Sequence, residues 1–204
     1  NPNLTQSWFG SVMELINNIT MLAIILTGSA LIREREHGTL EHLLVMPVTA
    51  FEIMVSKIWS MGLVVLLASG MSLTFVIQGL LKVPVEGSVL LFLAGTALHL
   101  FAVTSMGIFL ATIAQNMPQL GMLLILVLMP MQMLSGGMTP RESMPEIVRT
   151  VMMIAPTTHF VEFSQAILYR GAGMEVVWRP FLWIAGIGVT LFLITLARFR
   201  KTVT

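Results

Sequence analysis

Residues 12–32 read VMELINNITMLAIILTGSALI, and residues 33–36 then read RERE. A stretch of that length with Glu14 as its one charge can cross a bilayer as an α-helix, which takes about 20 mostly apolar residues. Four consecutive charges then stop it. Working outward, the pattern recurs at Ile58–Leu81 (between Lys57 and Lys82) and at Val89–Ala114 (after Pro84, Glu86 and Gly87). It recurs again at Leu120–Met138, which contains Pro130 and closes at Gly136-Gly137, and at Phe181–Ala197, opened by Arg179-Pro180 and stopped by Arg198, Arg200 and Lys201. Lipid offers no partner to an unpaired backbone group, so each stretch is predicted as helix. No ten-residue alternation of polar and apolar residues supports a β-barrel. The expected fold is an all-α membrane protein with five visible spans.

Composition agrees. Of 204 residues, 56% are hydrophobic and 10% charged, against roughly a quarter charged in soluble domains. Mean hydropathy is +0.89. A soluble enzyme is thereby excluded. A net charge of +1 argues against a basic nucleic-acid binder, and the lack of cysteine against a disulfide-stapled secreted domain. Asn1-Pro2-Asn3 is a polar, turn-like opening, and residues 1–10 lack the basic start and cleavage pattern of a signal peptide. Residues 1–204 therefore read as one membrane domain, the C-terminal part of a longer chain.

Five spans put the termini on opposite sides. One side gathers residues 33–57, 115–119 and 198–204, with Arg33, Arg35, Lys57, Arg198, Arg200 and Lys201. The other carries Lys82, Arg141, Arg149, Arg170 and Arg179 over a longer stretch. The positive-inside rule makes the first side cytoplasmic.

Two segments do not span. In 33–57, Leu40, Leu43 and Leu44 share one face of a short helix that Pro47 ends. Thr49-Ala50-Phe51-Glu52 then fits a capping box, with Val48 and Ile53 as its hydrophobic staple and the helix running on into the second span. This segment reads either as an interfacial anchor or as a docking element for a soluble partner. In 139–180, Ser143-Met144-Pro145-Glu146 fits a second capping box. Met144, Ile147, Val148, Val151 and Ala155 form an apolar stripe that Pro156 interrupts, and a helix over about Thr158–Arg170 ends at Gly171. The pair is expected to dip into the outer leaflet as a re-entrant hairpin, the alternative being a helical surface loop.

Catalytic chemistry is sparse. There is no phosphate-binding G-x-x-x-x-G-K-[ST], no G-x-S-x-G, no H-E-x-x-H, no Asp and no Cys. His37 and His42, five apart, would point about 140° apart on a helix, so no metal site is expected. Polar residues inside spans are costly and so informative. Glu14, Asn17 and Asn18 share one face of the first span, which Met21 and Gly28 continue, while His99 lies mid-way along the third and Gln132 follows Pro130 in the fourth. These residues either line a translocation path or make interhelical hydrogen bonds.

The run Arg33-Glu34-Arg35-Glu36-His37-Gly38-Thr39-Leu40-Glu41-His42-Leu43-Leu44, followed by Pro47, Glu52 and Lys57, resembles the ABC-2 type permeases, the membrane subunits of ATP-binding-cassette exporters. The family pattern matches at Glu34, Glu36, Gly38, Thr39, Glu41, Leu44, Pro47 and Lys57. Ser135-Gly136-Gly137 with Pro140, Pro145 and Pro156 resembles the family's segment before its last span. The resemblance implies a type V exporter fold of six spans, of which the five visible ones are the second to sixth, and a multi-pass location in the bacterial inner membrane. It implies that Arg33, Glu34, Arg35, Glu36, Gly38, Thr39, Leu40, Glu41, Leu44, Pro47 and Lys57 form a coupling segment on a nucleotide-binding subunit. ATP and Mg would sit on that subunit, this chain holding no cofactor. A second permease domain, identical or homologous, surrounding lipid and a periplasmic adaptor complete the expected partners. The chemistry then expected is outward movement of an amphipathic or lipophilic substrate. Two other classes remain at this level: an ATPase-driven mechanical or regulatory subunit without cargo, and an ion-coupled transporter using Glu14 or His99.

Topology can be tested with single cysteines at Glu41 and Arg149 and an impermeant thiol reagent, in intact cells with a permeabilised outer membrane. Position 149 should label and position 41 should not; the reverse pattern overturns the assignment.

Overall fold

The computed structural model describes residues 6–38, 48–137, 139 and 143–203, and every regular element among them is a helix. In chain order these are α1 (Gln6–Glu36), α2 (Ala50–Met71) continued by a π-helix (Ser72–Leu80), α3 (Val89–Ile113), α4 (Met117–Met133), α5 (Glu146–Met152), α6 (Pro156–Arg170) and α7 (Met174–Val203). Four are long and apolar enough to cross a membrane: those over 9–36, 50–80, 89–113 and 174–201.

The boundaries follow local chemistry where local chemistry is strong. Thr49 caps α2 as expected, its hydroxyl accepting from the Glu52 N–H while Glu52 reaches back to the Thr49 N–H at 2.7 Å. Val48, expected to staple against Ile53, is exposed while Ile53 is buried. Ser88 caps α3 by accepting from the Leu91 N–H. Gly171 ends α6 at φ 62°, with the Ala172 and Gly171 amides bonded to the carbonyls of Ala166 and Ile167 in a Schellman motif.

Other boundaries moved. Residues 33–36 are the last turn of α1 rather than the start of a separate segment. The fourth apolar stretch is helical only over Met117–Met133, 17 residues or about 25 Å, less than a full crossing. Ser135 and Gly136 end it: the Ser135 hydroxyl binds the Gln132 carbonyl, and Gly136 adopts φ 95°. The second capping box is not formed. Helix α5 starts at Glu146 with Pro145 as its N-cap and no side-chain cap bond, so Glu146 occupies the first helical position instead of the third. Helix α6 starts at Pro156, whose missing N–H is one the first turn would leave unpaired anyway. The last helix begins at Met174, so Arg179-Pro180 lies inside it rather than opening it.

Helix α3 is the centre, packed by α1, α2, α6 and α7. With α1 its approach is close because both helices present glycine: a Cβ on Gly107 would stand 2.8 Å from the Ile24 carbonyl, and one on Gly28 3.2 Å from the Gly107 carbonyl. Small residues at such a crossing let backbones meet where lipid supplies no hydrophobic drive. Helix α6 is buried along most of its length. Its C-terminal end meets the 82–88 turn, where the Glu86 amide binds the Leu168 carbonyl, and the start of α1, where the Tyr169 hydroxyl binds the Phe9 carbonyl. Its N-terminal end reaches His99, ten residues or about 15 Å along α3. The predicted stripe at α5 is split, with Ile147 and Val151 exposed, Val148 and Ala155 half-buried and Met144 buried.

Gly95 admits the α6 helix, since a Cβ there would lie 2.0 Å from the fully buried Phe163 ring. Gly95→Ala should lower stability by roughly 1–3 kcal/mol, with partial recovery in Gly95→Ala/Phe163→Leu. Gly121→Ala, with open space at its Cβ, should be neutral or stabilising by up to about 1 kcal/mol. Melting of the detergent-purified protein checks the contrast, and equal losses at both sites would contradict this packing.

Candidate functional site

Three residues of the charged run after the first span, Glu34, Arg35 and Glu36, do structural work at one end of the bundle, each on a different helix. Glu34 pairs with Lys57 of α2. Arg35 donates to the Ala114 carbonyl at 2.8 Å and the Ala111 carbonyl at 3.0 Å, two C-terminal acceptors of α3 that the helix itself leaves unpaired. A cation there also meets the negative end of the helix dipole. Glu36 accepts from the Met117 amide at 3.1 Å, the first turn of α4, where a carboxylate is favoured for the mirror reason. Asn116 caps the same helix, and Gln119 reaches back to the Gln115 amide. From α7, Arg198 donates to the Thr112 hydroxyl at 3.0 Å and lies over the Phe109 ring. Five helix ends are thus held in one polar clamp.

Arg33 is exposed; its carbonyl takes the His37 amide and the ring nitrogen His37 Nδ1 at 2.7 Å. Gly38 closes the helix at φ 70°, a conformation that favours glycine. Thr39, Leu40, Glu41, Leu44 and Pro47 of the predicted coupling set lie outside the described residues. So do His42 and Leu43.

The polar span residues fall into separate places. Glu14 and Asn18 line a groove of about 390 Å³ between α1 and the α2/π-helix, with Ser69 and Ser72 on the facing wall and Leu15, Ile19, Val65 and Ile77 supplying apolar surface. The Asn18 amide donates to Glu14 Oε1 at 3.4 Å. Asn17 is half-buried, and Gln132 is half-buried on α4. Further along α1, Gly28 faces Gly107 and Leu120 of the same chain, so this face does not stay one continuous polar stripe.

His99 sits elsewhere, fully enclosed. Its Nε2 lies 2.8 Å from the Thr20 hydroxyl, and its ring stacks on Phe160 at 3.9 Å, joining α1, α3 and α6. Thr20 also lies within bonding distance of the Ile16 carbonyl. The economical arrangement has the Thr20 hydroxyl donating to Ile16 and accepting from His99 Nε2–H, which leaves Nδ1 with an unused lone pair rather than an unpaired proton. Among the described residues no three His or Glu side chains gather as metal ligands.

Sequence reasoning missed Thr20, Thr112, Phe160 and the placement of Arg198 over α3. Thr20 and His99 are 79 residues apart, and nothing local connects them.

Comparison with known proteins follows the same lines. A family model described as ABC-2 type transporter matches residues 3–169. The chain is 68% identical over 203 residues to the inner membrane transport permease YhhJ of Escherichia coli (strain K12), which covers 100% of this chain and 54% of that protein. It is 29% identical over 204 residues to the probable multidrug ABC transporter permease YbhR of the same organism, covering 100% of this chain and 55% of the relative. It is 30% identical over 157 residues to the probable multidrug ABC transporter permease YbhS, covering 75% of this chain and 41% of the relative. The chain spans about half the length of these relatives.

Arg35→Ala should destabilise the purified protein by about 1.5–3 kcal/mol, the range for contacts made by a charged group. Arg35→Lys should recover only part, since an ammonium lacks the planar fork that spans two carbonyls. Melting temperatures decide it; an Arg35→Lys protein as stable as wild type would remove the fork from the account.

Proposed function

The chain belongs to the ABC-2 type transporter family, and from that premise we propose that it is the permease of an exporter in the bacterial inner membrane, moving an amphipathic or lipophilic substrate outward. The energy comes from ATP, bound with Mg and hydrolysed on a separate nucleotide-binding subunit. The chain is no enzyme in this scheme; it converts the partner's closure into movement of helices.

The polar clamp is the observation that carries the reading. A coupling segment over 33–57 is useful only if what it receives is passed on, and its two ends are joined by the Glu34–Lys57 pair. From the same turn of α1, Arg35 and Glu36 reach the ends of α3 and α4. Force applied to the α1–α2 link therefore reaches four helices through short polar contacts, which favours rigid-body rotation over local bending. The clamp end is the cytoplasmic one in this reading, and α4 is the fourth of five crossings in chain order. Helices α5 and α6 form the re-entrant hairpin from the outer side, a reading supported by the enclosure of the α6 N-terminal end beside His99. Non-helical backbone at that depth is tolerated where protein covers it. A second permease domain completes the path, and a periplasmic adaptor continues it outward. The low polarity of the groove walls favours amphiphilic cargo, in keeping with relatives described as probable multidrug permeases.

The test uses the full-length protein with its ATPase in proteoliposomes. ATP should drive outward movement of a fluorescent amphiphile such as Hoechst 33342. Glu34→Lys, which sets two cations together at a partly buried pair, should cut transport-linked ATP hydrolysis roughly tenfold, about 1.4 kcal/mol of coupling. The swap Glu34→Lys/Lys57→Glu should restore most of it. Movement driven by a pH gradient without ATP, or ATP turnover with no solute movement, overturns the proposal.

A further inference from the structure

Among the described residues Glu14 has no cationic partner. It lies 21 residues before Arg35 on α1, about 30 Å along the helix, which puts it at the end of the bundle opposite the clamp. Its side chain is exposed in the α1–α2 groove, whose lining contains no Lys, Arg or His. The Glu34–Lys57 ion pair lies at the other end, in the clamp. Asn18 donates to Glu14 Oε1 and so orients the carboxylate.

The rest of the groove is the body of a site for an amphiphile. At about 390 Å³ it is within the size range of small-molecule pockets. Leu15, Ile19, Val65 and Ile77 make its floor and walls, and Ser72 and Ser69, the latter with its hydroxyl donated to the Leu66 carbonyl, complete the lining on the α2 side. Leu22, Val76 and Leu81 on its rim are exposed, so the opening faces sideways, toward lipid. The wall on the α2 side runs from Val65, Ala68 and Ser69 of α2 into the π-helix over Ser72–Leu80, at whose start the Thr74 hydroxyl donates to the Gly70 carbonyl. Such segments recur at functional sites because they displace side chains from the regular helical register.

An anion beside apolar walls is stable when water or a counter-charge meets it. A neutral apolar occupant would strip the water and leave the charge unpaired. An anionic one would add repulsion. An organic cation with an apolar body does neither. We propose that the α1–α2 groove binds a lipophilic organic cation, its charge against Glu14 and its apolar body between α1 and the π-helix, and that Glu14 makes the site cation-selective. That the bound cation is cargo rests on the permease reading; the binding itself does not.

The experiment takes the full-length protein in nanodiscs of zwitterionic lipid, without ATP or ATPase, and measures equilibrium binding of tetraphenylphosphonium and of its near-isosteric anion tetraphenylborate. Wild type should bind the phosphonium saturably and the borate far more weakly. Glu14→Gln should weaken phosphonium binding on the order of tenfold to a hundredfold, the range of one contact to a charged group, and should narrow the preference between the two probes. Asn18→Ala should produce a smaller loss, and Ser69→Trp, which fills the groove with Glu14 intact, should abolish binding. Monodispersity and melting close to wild type establish that each variant is folded. Unchanged affinity in Glu14→Gln overturns the proposal. So does equal binding of both probes, or no saturable binding to wild type, the result expected if another segment or a second copy covers the groove. ATP-driven export of other amphiphiles without phosphonium binding would sink this site and leave the permease reading standing. Phosphonium binding without ATP-driven transport would do the reverse.

Discussion

A helix that ends at a membrane surface leaves four carbonyls without intrahelical partners, and the arrangement of this protein follows from how those of α3 are met. Arg35 reaches the carbonyls of Ala111 and Ala114 from the last turn of α1. That contact fixes the height of α1 against α3. At that height Gly28 lies against Gly107, and the two backbones meet at a distance any larger side chain would forbid. The neighbours of Arg35 in sequence, Glu34 and Glu36, are then carried to α2 and α4. One turn of helix thereby sets the relative positions of four.

The interior is assembled by a different logic from that of a soluble core. Apolar burial between helices adds little when the alternative surrounding is lipid, so fit and polar contacts decide. Gly95 makes room for Phe163, and His99 bonds Thr20 while stacking on Phe160. These two contacts hold α6 inside the bundle with its broken N-terminal end covered by protein. Large hydrophobic residues remain exposed on the outside of the bundle, among them Trp59, Phe75, Leu80 and Met122.

Charge is divided between the two ends accordingly. At the clamp, acidic and basic groups are matched with each other and with helix termini. In the groove the carboxylate of Glu14 is oriented by Asn18 and meets no cation among the described residues, as suits a site whose partner arrives from outside. The contrast gives physical meaning to two sets of polar residues that look alike in the chain.

Much of this was legible before any coordinates. The third span was expected over Val89–Ala114 and is helical over Val89–Ile113. The Thr49–Glu52 box and the Gly171 cap formed as written, because each depends on residues three or four apart. The motif at 33–57 identified the family. The charge grouping that placed 33–57, 115–119 and 198–204 on one side is matched by contacts of Arg35, Glu36 and Arg198 at one end. Local pattern misled where two signals competed. Ser143 and Glu146 have capping-box spacing, but Pro145 took the N-cap itself. Ser135 and Gly136 end the fourth apolar run short of its expected limit, leaving 17 helical residues. Composition, span positions, helix caps and family are thus properties of the sequence, since hydropathy and capping act over a few residues. The pairing of Arg35 with α3, of Thr20 with His99 and of Glu14 with the α2 groove joins residues separated by some 50 to 80 positions. Only the packing of the helices decided those, because a side chain on a membrane helix has no preferred partner until another helix is brought against it.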